Sequence, residues 1–240
     1  MTTQPGRPRL PAQVAEVIGS AGFSAALTAA TIATVLFPHL LRALIGWPGY
    51  IGALSGLLVL AIGALLARHR VLEWQGILPV SILLFVGWCA LTLLWSQYQW
   101  ATLTGVLYQL TVGFLALYVA LTRDLIQVVR SFGDVLRILL GLSLALEVLS
   151  GLLLDLPFPF LGIEGNLASG GPIQGVAGSR NLLGVLALIA IITFAVEYAT
   201  RSVQRGVAAA SLATAVVTLL FTRSPVSLDL SSSSDSSRSR

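Results

Sequence analysis

Residues 181–199 read NLLGVLALIAIITFAVEYA, and after a short break residues 206–222 read GVAAASLATAVVTLLFT. A spanning helix needs roughly 20 mostly apolar residues at about 1.5 Å of rise each. Both runs approach that length, and Glu197 is the one charged side chain in either. Arg201 and Arg205 fill the break, so the pair reads as two antiparallel membrane helices joined by a tight basic turn. Upstream, five more apolar windows of similar length occur at residues 18–37, 49–67, 77–95, 101–121 and 135–154. The expected fold is therefore all-α: a polytopic helical membrane protein with about seven transmembrane helices.

Composition excludes the alternative of a water-soluble domain. Of the 240 residues 56% are apolar and only 10% charged, with a mean hydropathy of +0.89, whereas soluble domains carry about 25% charged side chains. A net charge of +4 comes from arginine alone, since the chain has no lysine. These arginines stand singly or in pairs between apolar runs, which is the pattern of membrane topology signals. No nucleic-acid partner is expected from them. Cys89 is the one cysteine, so no intrachain disulfide and no Cys-rich metal site is expected, and no cofactor.

Basic residues in short loops stay on the cytoplasmic side. With the N-terminus inside, the cytoplasmic segments hold Arg7, Arg9, Arg68, Arg70, Arg123, Arg130, Arg137, Arg201 and Arg205, and the outer loops hold Arg42 and Arg180. The arginines after the last window, Arg223, Arg238 and Arg240, narrow this margin without reversing it. Residues 1–17 are then a cytoplasmic arm, and 18–224 the transmembrane domain with an extracytoplasmic loop at 155–180. The Ser-rich stretch 225–240 is a tail with too little apolar surface to fold. Trp47, Tyr50, Trp74, Trp95, Tyr98, Trp100 and Tyr198 fall at predicted helix ends, where amphipathic rings settle at headgroup level.

The outer loop, DLPFPFLGIEGNLASGGPIQGVAGSR, is rich in Pro and Gly, which argues against a continuous helix across it. Phe158, Phe160, Leu161 and Ile163 would dip into the bilayer edge. Arg180 and Asn181 open the sixth helix behind Gly170, Gly171, Gly175 and Gly178, with Ser179 as its expected N-cap. First-turn amides, the helix dipole and a guanidinium together suit a phosphate. Arg223 ends the seventh helix on the same side and would converge with Arg180, although a cation there also simply complements the helix dipole.

Other polar residues carry weaker readings. Glu147 stands within an apolar run, where a charge costs about 2.5 to 3.5 kcal/mol on insertion scales, so it must face the bundle interior, pair or be protonated. Glu197 precedes Arg201 by four residues, the spacing of a surface ion pair. His69 is a solvated neighbour of Arg68 and Arg70. His39 would serve as a base only if its loop folds toward Arg180. Gly52 and Gly56 form a GxxxG packing pattern.

The segment Gln174-Gly175-Val176-Ala177-Gly178-Ser179-Arg180-Asn181-Leu182-Leu183-Gly184, followed about forty residues on by Leu220-Phe221-Thr222-Arg223-Ser224, resembles the O-antigen ligase and polymerase family of membrane glycosyltransferases. The resemblance covers about residues 75 to 224 by helix spacing. It implies a GT-C-like enzyme of the bacterial cell membrane that moves a glycan from undecaprenyl pyrophosphate to an acceptor hydroxyl at the outer face without a metal. Arg180 and Arg223 match positions read as pyrophosphate contacts. Many members carry an arginine before the glycine matching Gly175, where this chain has Pro172, Ile173 and Gln174. Members also continue past the second motif into further helices and a histidine-bearing outer loop, so the resemblance implies such an enzyme or a truncated form of one, the family's N-terminal part. The alternative reading is a non-catalytic membrane subunit or a small permease.

Topology is testable directly. In a Cys89→Ser background, single cysteines introduced by Ser169→Cys and Ser233→Cys are expected to react with a membrane-impermeant reagent in intact cells. Labelling only after lysis would reverse the orientation.

Overall fold

A computed structural model describes residues 20–68, 80–165, 167, 170 and 172–223; the N-terminal arm, His69 and the Ser-rich tail lie outside them. Seven α-helices are formed by these residues: α1 (Ala21–Leu36), α2 (Pro38–Arg68), α3 (Val80–Leu91), α4 (Gln99–Thr122), α5 (Leu125–Val148), α6 (Arg180–Thr200) and α7 (Arg205–Thr222). A π-helical turn, Leu149–Leu154, extends α5, and 3₁₀ turns occur at Thr92–Leu94, Pro159–Leu161 and Gly175–Ala177. Among the described residues the one β pairing is an isolated bridge between Phe158 and Ile163.

Five of the helical segments are long and apolar enough to cross a membrane: Pro38–Ala67, Gln99–Thr122, Leu125–Leu154, Arg180–Thr200 and Arg205–Thr222. The first and third expected spans are shorter, Ala21–Leu36 and Val80–Leu94. Residues 38–48, expected as an outer loop, are mostly helical. Helix α2 already starts at Pro38 and is interrupted at Gly46, whose φ of 70° and ψ of 179° are not helical. Arg42 therefore lies within α2, where its Nε donates to the Pro38 carbonyl at 2.9 Å and its guanidinium stacks over the Trp47 ring. Tyr50 is not a headgroup anchor either. It is 3% exposed, and its hydroxyl donates to the Thr34 carbonyl.

The described chain divides into two compact units. In the first, comprising residues 20–31 and 52–128, Leu115 and Tyr118 of α4 are fully buried, as is Ala61 of α2. Helix α3 buries none of its residues. Among the described residues, a Cβ on Gly52 or Gly56 would meet nothing within 4 Å, so the Gly52–Gly56 pattern packs against none of them.

The second unit, residues 32–51 and 129–223, holds the larger core. Leu136, Leu139 and Leu140 of α5 pack there with Leu183, Ala187, Ala190 and Phe194 of α6 and Ala215 of α7. Small side chains at Ala187, Ala190, Ala208 and Ala215, all with no exposed surface, let α6 and α7 approach closely, as helices in lipid do when association rests on van der Waals packing.

The expected surface pair between Glu197 and Arg201 does not form. Glu197 is 3% exposed and pairs with Arg137 of α5. Arg137 also donates to Asp134 Oδ1 at 2.6 Å and to Ser211 Oγ of α7 at 3.0 Å, and its guanidinium lies over the Phe194 ring. Arg201 instead ends α6 in a left-handed conformation with φ of 52°, and its backbone amide donates to the Glu197 carbonyl. One guanidinium thus ties α5, α6 and α7 together through a polar cluster inside an apolar bundle. Removing one member of a buried pair leaves the other uncompensated, at a cost of about 3 to 5 kcal/mol. Glu197→Ala is therefore expected to destabilise the protein in detergent by about 3 kcal/mol, read from denaturant unfolding, while Arg201→Ala stays within about 0.5 kcal/mol.

Candidate functional site

Helix α5 ends in a π turn that closes at Asp155, a residue in left-handed geometry with φ of 49°. Ser150 secures the exit: its hydroxyl donates to the Leu156 carbonyl at 2.6 Å, and its own carbonyl accepts the Leu156 amide at 3.1 Å. The chain then folds back through the Phe158–Ile163 bridge, and the four candidates for bilayer contact separate: Phe158 is half-buried. Phe160 is 58% exposed, whereas Leu161 and Ile163 are buried.

Downstream, the loop returns into the core. Ile173 and Val176 have no exposed surface and belong to the same apolar cluster as α5 and α6. A loop at that depth must satisfy its backbone groups within the protein, and α5 supplies the partners. Glu147, 2% exposed, accepts the Gln174 amide at 3.0 Å and the Gly175 amide at 2.9 Å on the same Oε1. Ser143, one turn earlier on the same face, accepts the Val176 amide at 3.2 Å on its Oγ. The Ile173 amide donates to the Phe221 carbonyl at the end of α7 at 3.1 Å, and the Gln174 side-chain amide donates to the Gly162 carbonyl. Glu147 is thus paired inside the bundle, as its position required, and its partners are loop amides.

Two glycines are dictated by this seating. Gly175 has φ of 51°, and a Cβ there would collide with Ser143. Gly178 has φ of 74°, and a Cβ there would fall on the imidazole ring of His39. His39, in the first turn of α2, hydrogen-bonds through Nε2 to the Leu161 carbonyl at 3.1 Å. A carbonyl only accepts, so Nε2 carries the proton. His39 stands in α2 and not in a loop, and its ring acts as a strut between Leu161 and Gly178.

The loop delivers the chain into α6 through Ser179, whose side chain accepts the Leu182 amide at 3.3 Å as the expected N-cap. Arg180 and Asn181 occupy the first turn, and both are exposed. Arg223, also exposed, terminates α7 with φ of 42°, and its guanidinium reaches the Gly-rich segment: a Cβ on Gly170 would lie 3.8 Å from Nη2. The loop that leads into Arg180 is therefore also the loop that Arg223 touches. Among the described residues no three His, Cys, Asp or Glu side chains gather as a metal site. Sequence reading missed Ser143 and Gln174. The signal for Ser143 was available, since it lies four residues before Glu147 and so shares its helix face.

Loss of the Glu147 acceptor strands two buried amides, each costing about 1 to 3 kcal/mol. Glu147→Leu is expected to lower stability by at least about 2 kcal/mol, with Glu147→Gln, which keeps an acceptor oxygen, intermediate. Gly178→Ala combines strain with a clash and should cost more than about 1 kcal/mol. Chemical unfolding in detergent measures all three. Comparison with protein-family models, with curated proteins and with solved structures finds no match for this chain.

Proposed function

We propose that the chain is an O-antigen-ligase-like glycosyltransferase, or the donor-binding part of one, in a bacterial cell membrane. It has seven transmembrane helices in a GT-C-like arrangement, a cytoplasmic N-terminus, and residues 155–180 at the outer face. In the reaction, the acceptor hydroxyl oxygen bonds to the anomeric carbon of the donor glycan, the bond from that carbon to undecaprenyl pyrophosphate breaks, and the hydroxyl proton leaves. Negative charge grows on the departing pyrophosphate. Fixed guanidinium groups stabilise such charge with little reorganisation, and bidentate donors suit phosphoryl oxygens.

One observation carries the reading: the Gly-rich loop held by Glu147 both opens α6 at Arg180 and lies against the Arg223 guanidinium. Arg180 at the end of the anchored segment and Arg223 against it, beside the positive end of a helix dipole, would form a pyrophosphate cradle. In the alternative reading as a small permease, Glu147 would be the candidate proton carrier. Its Oε1 is engaged by two backbone amides, an arrangement that favours a structural anchor over a relay.

A charge-assisted contact contributes roughly 1.5 to 3 kcal/mol, so Arg180→Ala and Arg223→Ala are each expected to weaken binding of undecaprenyl pyrophosphate at least about tenfold. Binding is measured on the purified chain in detergent, with Arg201→Ala as control. Equal losses from all three substitutions, or none from Arg180→Ala and Arg223→Ala, would refute the shared site.

A further inference from the structure

A polar cavity of about 430 Å³ lies within the first unit and is lined by Ala21, Ser24, Thr122, Arg123, Asp124 and Gln127 among others. Its walls come from three helix ends. Ala21 and Ser24 belong to the first turn of α1, Thr122 and Arg123 close α4, and Asp124 and Gln127 begin α5. Two helix N-termini therefore face one cavity, and each brings first-turn amides and the positive end of a dipole.

Arg123 is held in place across this space. Its Nη2 donates to the Ala21 carbonyl at 2.9 Å and its Nη1 to Gln127 Oε1 at 2.7 Å. A guanidinium has five donors, so these two acceptors orient the group without exhausting it. Ser24 supplies an independent sign of a missing partner. The residue is 2% exposed, it lines the cavity, and its Oγ is a buried polar atom with no hydrogen-bond partner. Such an atom is costly unless something binds it.

We propose that this cavity is a binding site for a phosphate group, with Arg123, the first-turn amides of α1 and α5 and the Ser24 hydroxyl as its donors. Asp124, exposed at the same cavity, sets the charge of the ligand. Its carboxylate opposes a dianion, so the site takes a singly charged phosphodiester. The cavity opens where α4, long and apolar enough to span a membrane, gives way to Arg123 and Asp124. That is the depth of phospholipid headgroups, which are phosphodiesters. The ligand is thus a phospholipid of the surrounding bilayer, and the site is distinct from the proposed donor cradle.

Native mass spectrometry of the full chain in detergent, titrated with phosphatidylglycerol and in parallel with phosphorus-free diacylglycerol, tests the assignment. Phosphatidylglycerol is expected to bind at least tenfold more tightly than diacylglycerol, and Ser24→Ala and Arg123→Gln each to reduce that preference about fivefold or more. Ser24→Ala removes a hydroxyl that has no protein partner, so its thermal stability without lipid should equal or exceed that of the unsubstituted chain. This variant keeps the test valid if Arg123→Gln fails to fold. Equal binding of the two lipids, or an unchanged preference in Ser24→Ala, would overturn the proposal. Displacement of the lipid by millimolar inorganic phosphate would overturn the diester assignment in favour of a soluble phosphate.

Discussion

Glu147 Oε1 accepts two consecutive loop amides, those of Gln174 and Gly175, within a largely apolar core. An irregular segment can sit at that depth only if its backbone groups find protein partners. The carboxyl group is therefore a condition of the loop, and the loop is a condition of everything built on it. With residues 173–176 seated, Ile173 and Val176 complete the core of the second unit, Gly178 meets His39, and Ser179 caps α6 with Arg180 in its first turn. Without that seat, two amides and two large apolar side chains would have to be accommodated elsewhere.

The same unit uses a second buried acid at the other end of α6. Glu197 joins α6 to α5 through Arg137, which also reaches Ser211 of α7. Polar residues in membrane helices contribute modestly per hydrogen bond, about 0.6 kcal/mol on average. Their larger effect is on which arrangement of similar apolar helices is adopted, since a mispaired acid is far more costly than a mispaired leucine. Glu147 and Glu197 stand near opposite ends of neighbouring segments and draw different partners: backbone amides of an irregular loop in one case, a guanidinium on a regular helix in the other. Each fixes a register that apolar packing alone leaves open.

How much of this was legible in the sequence follows from the range of the interactions involved. Apolar run length is a local property, so α4, α6 and α7 appear nearly where the windows at 101–121, 181–199 and 206–222 place them. The extension of α2 back to Pro38 was hidden by Gly46 and Pro48, which read as loop residues but here interrupt a helix that resumes. The N-cap at Ser179 was readable because capping is local. The partner of Glu197 was misread because the i,i+4 rule sees only one helix, while Arg137 lies sixty residues away in sequence. Glu147 was recognisable as a residue that needed a partner, but its identity as a loop anchor depends on residues 27 and 28 positions further on. No local pattern encodes that contact.

The central claim, that Glu147 holds the loop between α5 and α6 inside the bundle, is tested most directly by amide hydrogen exchange at Gln174 and Gly175 in the intact protein. Both amides are predicted to exchange slowly, with protection comparable to that of neighbouring α6 amides, and to lose that protection in Glu147→Leu while α6 retains it. Exchange of Gln174 and Gly175 at the rate of an unstructured peptide in the unsubstituted chain would contradict the account.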